Sequence, residues 1–375
     1  MGREFNSSRK INFLTGDGYT IRRVSRSMFA HGKDVVVAGN VSLLGAAKIG
    51  KVTGLNEGDV IKIYPDGRLV RLWDSTSIHN CLFVTGLCNF KCEMCPQPPC
   101  EDDPDLHKEN LEILRLLKPN SVSMIGITGG EPTIFPDRLI EYFDIINERF
   151  PTARTEVLTN GSILANFDVA KRLALAAPYD ICYCVSIHGD TASLAESIMH
   201  VPGGWDKALR GMMNLAKLQQ PIEIRIVITQ KNHSYLNDMA YFISRNFPFA
   251  SHIAFMGQEI TGCARENYNQ IWVEPLEYKA ELERAVLFLA ALDFNVSIYN
   301  VPLCLLPSSC YRYAARSISD WKQSYLDACR GCAMEKACCG FFTTSGKYLP
   351  KGIVPLHEKR GDDALSENCE AQRRS

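Results

Sequence analysis

From about Asn80 onward the sequence alternates short apolar runs with longer amphipathic stretches, and this alternation leaves few architectures open. Leu82–Thr85, Val122–Thr128, Glu156–Thr159, Ile181–His188, Glu223–Thr229 and His252–Met256 read as strands. Between them, Asp105–Leu117, Asp137–Glu148, Phe167–Ala176, Trp205–Leu218 and Leu236–Asn246 carry helical spacing; in the first, Leu106, Ile113, Leu114 and Leu117 share one face. Strands joined through helices return to the same sheet in parallel, by right-handed crossovers. The expected fold class is therefore α/β, a partial parallel (β/α)6 barrel with its chemistry at the C-terminal ends of the strands.

The flanks read differently. Residues 1–78 suggest a small β-rich N-terminal unit. Val35–Ala38 is a β-branched run, and Val60–Tyr64 and Arg68–Trp73 flank the turn Pro65-Asp66-Gly67, where proline presets φ and glycine permits a positive one. The barrel is expected over 79–258, a C-terminal extension over 259–356 and a polar tail over 357–375. The longest apolar stretch, around Ala285–Leu292, is broken by Asp293, short of the roughly 18 residues that a membrane span needs. The N-terminus has no apolar targeting segment, so a cytoplasmic protein is expected. A formal charge of −1 supplies no basic face for nucleic acid.

The chain has 15 cysteines. In a reducing compartment, clustered thiols more often bind metal or do redox work than form disulfides. Cys88, Cys92 and Cys95 follow the first strand directly, in C-x3-C-x2-C spacing. Zinc usually takes four ligands, so a zinc site would need a fourth such as Cys100. Three thiolates on a [4Fe–4S] cluster would instead leave one iron open to an external ligand.

This arrangement resembles the radical SAM superfamily, whose signature is three cysteines in this spacing with a bulky apolar residue before the last; Met94 stands there. The resemblance implies that Cys88, Cys92 and Cys95 hold a [4Fe–4S] cluster and that S-adenosylmethionine chelates its open iron. Reductive cleavage would then yield a 5′-deoxyadenosyl radical that abstracts a substrate hydrogen. It further implies that Met94 packs near the adenine and that Gly129, Gly130, Glu131 and Pro132 bind the methionine end. Paired glycines allow a close backbone approach, and a carboxylate complements an ammonium. Asn160, at the end of the third strand, reads as a cofactor contact, although Asn-Gly is also a common hairpin turn.

On the fourth strand Cys182, Cys184, Ser186 and His188 share a face by the period of two. The resemblance places the Ser186 hydroxyl near the ribose or carboxylate. Cys184 is a speculative hydrogen donor, and His188 reads equally well as a core histidine. On the fifth strand Ile222, Ile224, Ile226 and Ile228 alternate with Glu223, Arg225, Val227 and Thr229, which sends the isoleucines under the helices. A lumen-facing Arg225 needs an anion, either the methionine carboxylate or Glu223.

Cys329, Cys332 and Cys338 form a C-x2-C-x5-C array, with Cys304 upstream. Four thiolates would close a cluster with no open site. The array resembles the twitch or SPASM extensions of peptide-modifying radical SAM enzymes. Phe342 stands where the two-cluster version has a further cysteine, so one auxiliary [4Fe–4S] cluster is expected; Cys263, Cys310 and Cys339 are further candidate ligands, and zinc is the competing occupant. Longer strings, among them Cys95-Pro96-Gln97-Pro98-Pro99, Cys184–Asp190 and Ser317–Lys322, resemble the radical SAM maturase family of His-Xaa-Ser peptide systems (HxsC). That resemblance implies a precursor peptide as substrate, a second radical SAM maturase as partner, and a flavodoxin- or ferredoxin-type reductant. A radical enzyme acting on RNA or a small molecule, or a cluster-bearing electron-transfer subunit, are the alternatives. Phosphate-loop, zinc-helix and nucleophile-elbow motifs do not occur.

Overall fold

In a computed structural model, the structure describes residues 20–24, 29–31, 34–35, 55–64, 69–100 and 106–357. The turn Pro65-Asp66-Gly67, most of the Val35–Ala38 run and the tail beyond His357 lie outside the described residues. In chain order the N-terminal strands are β1 (Thr20–Arg23), β2 (Phe29–His31), β3 (Asp34–Val35), β4 (Val60–Ile63) and β5 (Leu69–Trp73). β4 pairs antiparallel with β1 and β5 in a three-stranded sheet, and β2 pairs with β3. Ile21, Val60 and Trp73 of this sheet belong to the same buried core as Leu111 and Leu114 beyond it. Lys62 also bonds Glu109 at 2.7 Å. The unit is therefore seated on the barrel through shared apolar contacts.

The main sheet is formed by β6 (Cys81–Phe83), β7 (Met124–Thr128), β8 (Arg154–Thr159), β9 (Ile181–Ser186), β10 (Ile222–Val227), β11 (His252–Met256) and β12 (Val296–Tyr299). All adjacent pairs are parallel, in the order β12-β11-β10-β9-β8-β7-β6. The six expected strands are present. A seventh, β12, extends the sheet from the region that the sequence assigned to the C-terminal extension, so the boundary expected at residue 258 falls inside a continuous sheet.

The connecting helices are α1 (His107–Leu116), α2 (Pro136–Arg149), α3 (Phe167–Ala176), α4 (Ala192–Met199), α5 (Gly204–Lys217), α6 (Leu236–Asn246), the short α7 (Gly262–Glu266) and α8 (Tyr268–Ile271), and α9 (Pro275–Ala291). Their periodic faces are buried: Leu139, Tyr142, Phe143 and Ile146 of α2, and Leu236, Met239, Ala240 and Ile243 of α6. Each large side chain so buried contributes about 1.5–3 kcal/mol. Ile222, Ile224 and Ile226 of β10 join this outer core, as the alternation required. Local signals start several helices: Asn166 accepts from the N–H groups of Asp168 and Val169 at α3, and Pro136 and Pro275 open α2 and α9.

The sheet does not close on itself. Its open side is spanned by the segment after β12: Ala315 N–H donates to Ile298 O at 2.9 Å, and Asp320 accepts from Ser77 Oγ at 2.7 Å beside β6. Beyond it, β13 (Gln323–Ser324) and β14 (Phe341–Phe342) pair antiparallel around the C-terminal cysteine loop.

Candidate active site

The loop carrying Cys88, Cys92 and Cys95 leaves the end of β6 and is pinned on every side. Lys91 and Glu93 N–H groups donate to Met199 O and Ile198 O at the end of α4, both at 3.1 Å. Phe90 packs on Ala195 and Met199, and Met94 packs on Ile198, Ala264 and Ile271. The buried Glu93 accepts from Lys231 Nζ at 2.7 Å, and its backbone carbonyl accepts from Asn267 Nδ2 at 3.0 Å.

The glycine pair explains how the next strand end meets this loop. A Cβ on Gly130 would lie 2.2 Å from Leu87 O, and one on Gly129 would lie 2.5 Å from Thr85 O. Both glycines therefore let backbone close on backbone: Gly130 N–H donates to Thr85 O at 2.7 Å and Glu131 N–H to Leu87 O at 2.8 Å. The Glu131 carboxylate, expected to face a ligand, is fully buried and spent within the protein. It accepts from Thr133 N at 3.0 Å, from the Thr133 hydroxyl, from Thr159 Oγ1 at 2.6 Å and from Asn160 N at 2.6 Å. Burial pushes this carboxyl up, and those bonds oppose the shift. Glu131 thus staples the loop after β7 to the end of β8, with Pro132 opening the short turn that follows.

Asn160 continues the staple into the cysteine loop. Its Nδ2 donates to Asn89 Oδ1 at 2.9 Å and lies 3.9 Å from Cys88 Sγ, which also accepts from Phe90 N–H at 3.4 Å. Gly161 beside it takes a φ of +75°, a conformation that glycine adopts without strain.

Burial and the neighbouring thiols push Cys92 strongly up, and burial pushes Cys95 up to about 11. Three thiols on one short loop are a donor set that fits an iron centre, which deprotonates its thiol ligands.

Below the loop a cleft of about 480 Å³ runs along the concave face of the sheet. Cys81, Gly126, Glu156, Arg225, Met256 and Tyr299 contribute to its walls from six different strands, and Met94 reaches it from the cysteine loop. Lys322 and Glu259, paired at 2.9 Å, lie on its C-terminal side. Arg225 bonds Glu223 and lies 3.3 Å from Glu156 Oε2. The structural Glu223 pairing weighed against a cofactor carboxylate is thus the one present. Glu223 Oε2 also faces His252 Nδ1 at 2.8 Å, and His252 Nε2 faces Ser297 Oγ at 2.9 Å. Burial opposes ionisation of Glu223, but the His252 bond and the Arg225 charge outweigh it and hold its carboxyl down to about 2.

Cys184 is buried and bonded to Cys182, which together with burial raises it well above the ordinary thiol range. Ser186 is half-buried at the end of β9. His188 lies past that end, and burial alone lowers it to about 4. Glu156, Tyr299 and Cys81 were not singled out from the sequence. Only their place on inward strand positions marks them.

Cys304, Cys329, Cys332 and Cys338 line one small cavity beneath Tyr325 and Phe341. Backbone N–H groups already aim at the sulfurs: Leu303 and Gly340 at Cys338, and Leu356 at Cys332, each at 3.4 Å. A bond from Cys339 and those two backbone donors hold Cys338 down to about 6, against burial. Cys339 itself is buried with Ile318 and Phe342, and Cys310 lies in the main core. Among the described residues, no three His, Cys, Asp or Glu side chains close to the spacing of a single metal ion. No helix among them is long and apolar enough to cross a membrane.

Residues 82–242 match the family model of the radical SAM superfamily. The mycofactocin maturase MftC of Mycobacterium tuberculosis (strain CDC 1551 / Oshkosh) is 30% identical over 168 residues, 43% of this chain and 40% of that protein. The chain thus spans about two fifths of the length of that curated relative. The AdoMet-dependent heme synthase of Methanosarcina barkeri (strain Fusaro / DSM 804) is 22% identical over 288 residues, 73% of this chain and 76% of the relative. Among solved structures, Streptococcus suis SuiB bound to S-adenosylmethionine superposes with a TM-score of 0.47 at 19% identity, covering 58% of this chain and 49% of that one; so loose a likeness says nothing about chemistry. The cysteine triad and the Gly129–Pro132 loop both lie inside the span that matches the radical SAM family model.

Proposed function

We propose that this chain is a radical SAM peptide maturase that acts on a ribosomally made precursor of the His-Xaa-Ser type. One observation carries the reading: the loop with three cysteines is stapled to the neighbouring strand ends, and its Met94 and Pro96 line a cleft large enough for a side chain and its flanking backbone. Cys88, Cys92 and Cys95 would hold the cluster, and Met94, Gly129, Gly130, Asn160 and Ser186 would bound the cofactor beside it. With S-adenosylmethionine bound, that group supplies one-electron cleavage of the S–C5′ bond and a carbon radical able to take a substrate hydrogen.

The protein's own part is position and shielding. Glu131 and Asn160 hold three strand ends in fixed register, so the loop cannot drift from the cleft. Arg225, fixed between Glu156 and Glu223, gives the lumen a wall of compensated charge that a polar peptide side chain can enter. Cys304, Cys329, Cys332 and Cys338 would hold one auxiliary [4Fe–4S] cluster behind Phe341. The peptide substrate draws support from the maturase relative, and the His-Xaa-Ser assignment from the sequence strings.

The test is anaerobic reconstitution with iron, sulfide, dithionite and S-adenosylmethionine, followed by co-expression with the precursor peptide and its mass spectrum. The expected results are 5′-deoxyadenosine, about eight irons per chain and a mass change in the peptide. Absence of 5′-deoxyadenosine overturns the enzyme. An unmodified peptide, with 5′-deoxyadenosine still formed, overturns only the substrate. Iron near four per chain overturns the auxiliary cluster.

A further inference from the structure

The charges that line the cleft do not balance. Its charged side chains are His79, Glu156, Arg225, Glu259, Arg316 and Lys322. Arg225 is held between Glu156 and Glu223, Lys322 faces Glu259 at 2.9 Å, and His79 lies 3.5 Å from Asp320. Arg316 is the cleft cation with no carboxylate partner among the described residues; its Nη2 donates instead to the neutral Gln323 Oε1 at 3.1 Å. Gln323 in turn donates from Nε2 to Cys339 O at 2.7 Å, which turns its amide oxygen toward the guanidinium. The backbone on either side of Arg316 is fixed to the end of β12. Ala315 N–H donates to Ile298 O at 2.9 Å, and Ser317 Oγ donates to Asn300 Oδ1 at 2.8 Å. Arg316 is thus oriented by a neutral partner without being neutralised. A guanidinium presents five N–H donors in a planar fork, so most of its donors stay open to a ligand.

Arg316 lies outside residues 82–242, the span that matches the family model, on the segment that crosses the open side of the sheet. Met94, Gly129, Gly130, Asn160 and Ser186, expected to bound the cofactor, all lie inside that span. The unbalanced charge therefore belongs to the part of the cleft that the C-terminal extension adds. We propose that Arg316 is a specificity-determining residue that takes a carboxylate of the substrate peptide, from an acidic side chain or from the chain terminus, in a bidentate pair. The inference rests on the peptide reading above. A bound carboxylate brings the cleft into charge balance, and a walled cleft screens such a pair less than open surface does. A peptide with an amide at that place leaves the guanidinium desolvated and unpaired, and is rejected for that reason.

The test measures the KM of peptide and of S-adenosylmethionine for wild type, Arg316→Gln and Arg316→Lys, after equal iron counts have shown that the variants fold and fill. Three forms of a His-Xaa-Ser precursor peptide are used: the natural sequence, one amidated at its C-terminus, and one with Asp and Glu replaced by Asn and Gln. With the natural peptide, Arg316→Gln should raise the peptide KM about tenfold or more, and Arg316→Lys, which keeps the charge but not the fork, should fall between. One altered peptide should show the same rise on wild type and no further rise on Arg316→Gln, and which one does so identifies the carboxylate. An unchanged peptide KM in Arg316→Gln overturns the proposal. So does an equal rise for all three peptides, which assigns Arg316 to the scaffold, and so does a rise in the cofactor KM alone, which assigns the charge to the cofactor. If wild type forms 5′-deoxyadenosine but modifies none of the peptides, the peptide reading has failed and this proposal with it. If Arg316→Gln handles the natural peptide as wild type does, only the role of Arg316 has failed.

Discussion

Cys88, Cys92 and Cys95 lie within eight residues of one another, whereas Cys304, Cys329, Cys332 and Cys338 come from two separated stretches of chain. Around the first set, burial and mutual repulsion drive Cys92 and Cys95 up against the backbone hydrogen bonds that oppose the shift, and Phe90 N–H and Asn160 Nδ2 reach Cys88. Around the second, backbone N–H groups of Leu303, Gly340 and Leu356 already point at Cys338 and Cys332, and Cys338 is held down to about 6. Met94 and Pro96 of the first set's loop line a cleft, and the second set is closed over by Tyr325, Phe341 and the 353–356 strap. On the function proposed above, the difference would suit one set to a centre that exchanges a ligand and the other to one that keeps all of its ligands.

The largest expected effect that tests this contrast is at Cys92. Cys92→Ala should abolish 5′-deoxyadenosine formation and remove about four irons per chain while the C-terminal iron remains, as read by product chromatography and iron assay. Loss of all iron would mean that the two sets are not independent.

Gly130→Ala comes next. Its Cβ would meet Leu87 O at 2.2 Å, backbone against backbone, so the seam between the glycine loop and the cysteine loop must part. Cofactor cleavage should fall by orders of magnitude although every cysteine is present; near-normal turnover would show that the seam does not position the triad.

Glu223 tests the lumen wall between the two sets. Its carboxyl is depressed to about 2 from an ordinary 4.5, so the stability it contributes is fully present above about pH 4.5 and is lost as pH falls toward 2. Glu223→Gln should lower unfolding free energy at pH 7 by roughly 3 kcal/mol. The gap between variant and wild type should close as pH drops below about 4.5, measured by urea unfolding of the two proteins side by side. A gap that stays constant with pH would assign the loss to packing alone.

The smallest effect is expected at Gly331, inside the C-terminal cysteine loop. A Cβ there meets nothing within 4 Å, and only its φ of +79° resists substitution. Gly331→Ala should cost about 1 kcal/mol, seen as a drop of a few degrees in thermal unfolding, with iron content and cofactor cleavage unchanged. A loss like that of Gly130→Ala would mean that both loops are equally constrained.

Much of the core was legible before any coordinates. Period-two alternation from Ile222 to Thr229 placed Glu223 and Arg225 in the lumen, because strand geometry permits no other assignment. Two residues at the site were legible in position and not in partner. Glu131 was expected to meet a ligand, and Arg225 either the methionine carboxylate or Glu223; in the structure each is bonded within the protein. A carboxylate's partners come from other strands, and the sequence gives no distance between them. β12 was hidden for a related reason. Asn295-Val296-Ser297-Ile298-Tyr299 is too short to declare its sheet, and only its parallel register with β11 adds it to the barrel.

The sequence by itself determined the order of the six strands from β6 to β11, the triad on its loop and the C-terminal array, since spacing along a chain limits what a short loop can gather. The tertiary structure alone decided that Cys304 lines one cavity with Cys329, Cys332 and Cys338, and that α7 packs along the first cysteine loop. It also decided that the glycine loop closes on the cysteine loop rather than standing free. Such meetings depend on the packing of whole elements, which no local spacing encodes.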